Sequence, residues 1–269
     1  MEQITCYDFI KDISIEIRSL NEGYITNFFL SQEKCNLLIN NNLLYYVCFK
    51  KCIFILFKDY NFYHIYYICS NENELNECLN DIISKYSEYI YITDIIGSEA
   101  NIQGISSIFS KSGFKKYKLL YRMNRINNLP ETQVIDLKVE NALITHTEQI
   151  HFLLEKYFDK YCEQIPMIKE INNFIEKENV LILLEKDVII GFVIFEINGM
   201  TSYLRYWFVL PEYREKKIGS VLLREFFNKT KETKRQLFWV IAENENAIIR
   251  YKHYGFKSED MFDQVMIRH

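Results

Sequence analysis

The stretch Tyr206–Phe226, YWFVLPEYREKKIGSVLLREF, constrains this chain most. Tyr206 to Leu210 are aromatic and aliphatic, as in a buried strand. Pro211 has no amide hydrogen to give a ladder, so the strand stops there. Ile218, Val221, Leu222 and Phe226 then recur at i, i+3, i+4 and i+8, the spacing of one helix face. Between strand and helix lie Arg214, Glu215, Lys216, Lys217, Ile218, Gly219 and Ser220. A helix that begins here presents unpaired amides and the positive end of its dipole, a setting for an anion. Gly219 lets a phosphate approach the main chain, and Arg214, Lys216 and Lys217 add positive charge beside it. The pattern reads as a diphosphate cradle, with an ordinary strand–helix turn and a solvated basic edge as the plainer alternative.

Around this stretch the chain divides in two. Residues 5–20 fit a helix with Phe9, Ile13 and Ile17 inward, and Ser31 caps a second, Gln32–Ile39. Strands follow over Leu43–Phe49, Cys52–Phe57 and Phe62–Cys69, then a helix Asn71–Tyr86, a strand Tyr89–Thr93, a helix Asn101–Lys111 and a strand Tyr117–Met123. Asn127–Thr132 gathers turn-forming residues around Pro130 and reads as a linker, so domains are expected over 1–129 and 130–269. The second half opens with a strand near Val134–Leu137. Thr147 is read as the cap of a helix carrying Ile150, Leu153, Leu154 and Phe158, followed by a helix Ile168–Glu176. Val180–Leu184 and Val188–Ile197 make a hairpin about Lys186-Asp187; Leu237–Ala242, Asn246–His253 and Gln264–Arg268 complete the order as strand, helix and strand. Both halves thus run through two helices, three antiparallel strands, helix, strand, helix, strand. Ser112-Gly113-Phe114-Lys115 echoes Tyr254-Gly255-Phe256-Lys257, which points to internal duplication.

Composition excludes some partners. Neither half is basic: 13 Lys/Arg face 14 Asp/Glu to residue 130, and 19 face 22 after it. Nucleic acid is therefore not expected as a ligand. No apolar run is long enough to span a membrane, and the acidic opening Met1-Glu2-Gln3 does not read as a secretion leader. Seven cysteines without a Cys-x-x-Cys suit a reducing cytoplasm, and Cys48 and Cys52 read as small buried hydrophobes rather than a metal pair. No metal site is expected.

The cradle resembles motif A of the GNAT (GCN5-related N-acetyltransferase) family, Arg/Gln-x-x-Gly-x-Gly/Ala, with Arg214, Lys217 and Gly219 at the matching positions and Lys217 replacing the first glycine. Ala242–Phe256, AENENAIIRYKHYGF, is similar to motif B, Asn-x-x-Ala-x-x-x-Tyr-x-x-x-Gly-Phe, through Asn244, Ala247, Tyr251, Gly255 and Phe256. The resemblance covers the second half. It implies an α/β (mixed α+β) fold of two tandem GNAT-like domains, each a mostly antiparallel sheet with splayed fourth and fifth strands flanked by helices. It also implies acetyl-CoA as cofactor and transfer of an acetyl or short acyl group to a small-molecule or peptide amine in a ternary complex. Carried over, the main chain of Trp207, Phe208 and Val209 pairs with the pantetheine arm, and one of its amides polarises the thioester carbonyl. Glu215 to Ser220, with Arg214, wrap the diphosphate. Asn244 binds the cofactor arm, and Tyr251 protonates the departing thiolate.

The general base stays open among Glu196, Glu243 and a water chain, since Trp239 stands where some relatives place a glutamate. The first half lacks a phosphate turn: Cys69-Ser70-Asn71-Glu72-Asn73-Glu74 has no glycine and carries two carboxylates. Phe109 stands there at the place of Tyr251. A degenerate GNAT-like domain is expected, with roles in completing the sheet, covering the acceptor cleft or association, including a homodimer. A non-catalytic acyl-CoA-binding or interaction module, and an acyl or aminoacyl transferase of the double-GNAT type, are the competing readings.

Overall fold

A computed structural model describes residues 1–126 and 137–269. The elements in chain order are β1 (Glu2–Gln3), α1 (Tyr7–Ser19), β2 (Ile25–Thr26), α2 (Gln32–Asn40), β3 (Leu44–Cys48), β4 (Cys52–Asp59), β5 (Phe62–Cys69), α3 (Glu72–Lys85), β6 (Ile90–Gly97), α4 (Glu99–Lys111) and β7 (Lys115–Ile126). There follow β8 (Glu140–Asn141), α5 (Thr147–Tyr157), α6 (Ile168–Glu176), β9 (Val180–Glu185), β10 (Val188–Asn198), β11 (Thr201–Val209), α7 (Ile218–Lys229), β12 (Arg235–Ile241), α8 (Glu245–His253) and β13 (Lys257–Arg268). The repeated order of two helices, three strands, helix, strand, helix, strand is present in both halves. Gly113 and Gly255 end α4 and α8 alike, at φ of 88° and 85°.

The chain forms two compact units, Met1–Leu120 with Asp260–His269, and Tyr121–Glu259. Most of β13 therefore belongs to the first unit, which a division at 129/130 does not convey. The linker expected over 127–132 lies outside the described residues, as does nearly all of the strand expected near Val134–Leu137.

In the first unit the strands run in the order β1-β3-β4-β5-β6-β13. One face packs on α3 and α4 through Leu75, Leu79, Ile82, Ile105 and Phe109. Ser31 caps α2, accepting from the Lys34 amide at 3.1 Å. In α1 the buried residues are Ile10 and Ile17, while Phe9 and Ile13 are half-buried, so the inward face is turned from the expected one. Cys48 is exposed at the end of β3. Cys52 and Cys69, direct partners across β4 and β5, are joined as a disulfide rather than packed as free thiols.

In the second unit the order is β12-β11-β10-β9-β8. One face packs on α7 through Ile218, Val221, Leu222 and Phe226, as the helical spacing predicts. The other packs on α5 and α6 through Ile150, Leu153, Leu154, Ile171 and Ile175. Lys186 and Asp187 both have positive φ, 51° and 64°, the backbone of a two-residue type I′ hairpin. Thr147 does not cap α5: a turn of 3₁₀ helix, Ile144–His146, precedes it, and the Thr147 hydroxyl donates instead to Asn172 Oδ1 at 2.6 Å. The pairing of β10 with β11 slips between Ile194 and Phe195, leaving Arg205 as the extra residue of a bulge.

Candidate active site

β11 and β12 are parallel but paired only over Thr201–Tyr203 against Arg235–Leu237. Beyond that they part. The gap is a cleft lined by Glu163, Tyr206, Trp207, Trp239, Asn244 and Tyr251 among others. The Leu210 amide donates to Ile190 O on β10 at 3.0 Å. Main-chain groups alternate sides along a strand. Phe208 is therefore committed to β10, while Trp207 and Val209 turn theirs toward the gap. Arg214 Nε reaches Val209 O at 3.4 Å. The Trp207 indole N–H is buried without a hydrogen-bond partner.

The turn after β11 is a short 3₁₀ helix, Pro211–Lys216, and Lys217 then adopts a left-handed φ of 61° before α7 begins. This is the position where the motif A pattern has glycine, and the backbone keeps the glycine-like geometry. Arg214, Glu215, Lys216 and Lys217 are exposed. The first-turn amides of α7 are those of Ile218, Gly219 and Ser220; the Val221 amide is the first to find a helical carbonyl, Lys217 O at 3.1 Å. A Cβ on Gly219 would stand 3.0 Å from the Trp207 ring, so glycine is needed for the indole to lie against the helix start. Tyr254 Oη donates to Ser220 Oγ at 2.6 Å.

Asn244 caps α8, accepting from the Ala247 amide at 3.3 Å. One turn on, the Tyr251 ring lies 5.4 Å from Trp207 and 4.0 Å from Phe238, between centroids. Burial, reinforced by the charge of Glu163, pushes the Tyr251 phenol well above its ordinary pKa, so it stays protonated.

Glu163 is the residue that periodicity and motif do not reveal. It sits in the α5–α6 connection, where one carboxylate oxygen accepts from the Asp159 amide at 2.7 Å and its own amide donates to Asp159 O at 2.8 Å. Tyr206 Oη donates to the Glu163 and Gln164 carbonyls, 2.8 Å each, and Gln164 holds a positive φ of 42°. Burial raises the Glu163 carboxyl to about 7. Glu196, half-exposed at the end of β10, and Glu243, exposed, do not line the cleft.

Residues 176–258 match the model of the acetyltransferase (GNAT) domain. Among curated protein sequences none matches the chain. Among solved structures, a GCN5-related N-acetyltransferase from Sphaerobacter thermophilus superposes with a TM-score of 0.62 at 11% identity, covering 89% of this chain and 86% of its own. An acetyltransferase of the GNAT family from Colwellia psychrerythraea gives 0.58 at 12%, covering 99% and 98%. A tandem GNAT protein from the clavulanic acid biosynthesis pathway gives 0.56 at 8%, covering 81% and 78%. The forked strands and the helix start beside them lie within residues 176–258, which match the acetyltransferase (GNAT) domain model, and the chain shares its fold with GNAT structures, a tandem GNAT protein among them.

Proposed function

We propose that the second unit transfers an acetyl or other short acyl group from coenzyme A to an amine. One observation carries this reading: the fork of β11 and β12 gathers a protonated phenol, Tyr251, and a carboxyl of pKa about 7, Glu163, in one cleft beside strand main chain turned to the gap. The residues fit a coenzyme A thioester. Trp207 and Val209 offer main-chain groups to an extended arm, the orphaned Trp207 indole N–H points to a missing acceptor, and the α7 amides of Ile218, Gly219 and Ser220 suit a diphosphate. Acetyl-CoA bound there supplies the activated acyl group and a thiolate leaving group. Asn244 and Arg214 border the arm and the phosphates.

Each protein group then has one task. Glu163 takes the proton of the incoming ammonium, for which a pKa near 7 balances ionisation against basicity. Tyr251 gives its proton to the departing sulfur, and desolvation keeps the proton available. A main-chain amide of β11 polarises the carbonyl under attack. The first unit, whose α3 amides are already taken by Asn71 Oδ1 at 3.1 Å, is a degenerate partner domain without transfer of its own.

Isothermal calorimetry with acetyl-CoA, followed by thiol release on a panel of amines, tests the reading: one acetyl-CoA per chain and amine-dependent thiol release are expected. Tight binding without release on any amine would favour a binding module, the reading to which the exposed, left-handed Lys217 lends itself. Gly219→Val is expected to weaken acetyl-CoA at least about tenfold while the circular dichroism spectrum is unchanged, because the added methyls displace the Trp207 ring. Undiminished affinity would remove the Trp207–Gly219 contact from the account.

A further inference from the structure

Leu204 and Tyr206 are two residues apart and would share a face on a regular strand. They do not: Leu204 packs toward α7, while Tyr206 and Phe208 pack toward α5 and α6. The phase changes at Arg205, the residue left over where β10 pairs Phe195 with Leu204 and Ile194 with Tyr206. A bulge leaves its extra residue without a cross-strand partner and re-aims its side chain. Here that side chain is exposed and lines the cleft between β11 and β12. Among the described residues lining the cleft, Arg205 is the cation and Glu163 the acid. The Arg205 guanidinium makes no hydrogen bond or ion pair with a described residue. By contrast, Arg122 and Arg235 both donate to Glu259, and Arg125 donates to Gln236.

The phosphates of coenzyme A do not call for Arg205. The start of α7 lies at the Val209 end of β11, where Arg214 Nε reaches Val209 O at 3.4 Å. Arg205 lies back along the strand from Val209 by about 13 Å, at about 3.3 Å per residue. It comes just after Tyr203, the last residue of β11 paired with β12. It therefore stands at the base of the fork, where the acyl end of an arm laid along Val209 and Trp207 arrives. Tyr206, the next residue, donates to the Glu163 and Gln164 carbonyls and holds the α5–α6 connection to this part of β11. One residue thus presents a guanidinium and its neighbour fixes the acid. Glu163 is half-buried and Arg205 exposed, so the acid sits deeper. Phe158 and Trp239 add aromatic wall to the same cleft. An amine that reaches Glu163 leaves its other end beside Arg205.

We propose that the acceptor is an amino acid, with its amine facing Glu163 and its carboxylate held by Arg205. Arg205 is then a specificity-determining residue with no part in proton transfer. A guanidinium meets a carboxylate through two parallel N–H···O bonds, a fit that an ammonium or an alkyl group cannot offer. A polyamine would bring a second positive charge to Arg205, and a simple alkylamine would leave it unpaired. The inference rests on the transfer reading, because it names the acceptor of that same cleft.

The test uses the full chain labelled with nitrogen-15 and titrated first with coenzyme A. N-acetylglycine is the probe and N-acetylglycinamide its neutral counterpart. Neither has an amine to titrate, so the pair differs in the carboxylate. N-acetylglycine is expected to shift the Arg205 Nε and Trp239 indole signals at millimolar concentration and to bind about five- to tenfold more tightly than the amide. The preference should shrink as salt is raised, because Arg205 is exposed. Arg205→Gln is expected to remove the preference, and Arg205→Lys to keep part of it. The proposal fails, with the transfer reading intact, if the two probes bind equally, if N-acetylglycine does not bind at tens of millimolar, or if the preference survives in Arg205→Gln. Coenzyme A that leaves the α7 amides unmoved overturns the transfer reading, and this inference with it.

Discussion

Tyr251→Phe is expected to lower kcat about 10²–10³-fold with little change in the KM for acetyl-CoA. The substitution removes one oxygen and leaves the ring contacts with Trp207, Phe238 and Phe256 in place. No hydrogen bond to protein holds that hydroxyl among the described residues, so the fold has little to lose. An acid acts only as the sulfur departs, so its loss appears in kcat rather than in cofactor binding. Steady-state kinetics with thiol detection separates the two parameters. Unchanged turnover would take Tyr251 out of the mechanism and leave it a packing residue.

Glu163→Gln is expected to cost about 10²-fold in kcat/KM at pH 8 and to abolish a rise in activity with pH centred near 7. The acceptor for this profile should be an amine whose own titration lies well above pH 8. A second readout is independent of activity. The folded Glu163 carboxyl binds its proton more tightly than the unfolded one, because burial disfavours the charge. Stability from this group is therefore full below the ordinary glutamate range and is lost as pH rises toward and through 7. Glutamine never ionises, so the thermal midpoint of the variant should gain on that of wild type between pH 5 and pH 8. If the pH limb survives in Glu163→Gln, another group is the base, even should the stability difference appear.

Much of this site was legible in the chain itself. Ile218, Val221, Leu222 and Phe226 face the core because a helix period leaves them no other side, and the strand before them ends where Pro211 cannot pair. Asn244 and Tyr251 were found by motif spacing, and α8 sets both at the cleft. Gly219 was read for its access to a phosphate; its immediate neighbour is the Trp207 ring, a contact from a strand that spacing along one helix cannot disclose. Glu163 was not legible for a physical reason. It sits in a connection between two helices, placed by turn hydrogen bonds and by Tyr206, 43 residues away in sequence, with no period to reveal it. The exchange of β13 into the first unit was hidden likewise, since nothing local records which sheet a strand joins.

The central claim is that the start of α7 and the strand before it grip an acyl-CoA. It is tested most directly by following amide and indole signals of the full chain during titration with coenzyme A. The account predicts that the amides of Ile218, Gly219 and Ser220 and the Trp207 indole N–H shift together and saturate at one equivalent, while those of Asn73 and Glu74 at the start of α3 stay still. Motionless α7 signals at millimolar coenzyme A would contradict it.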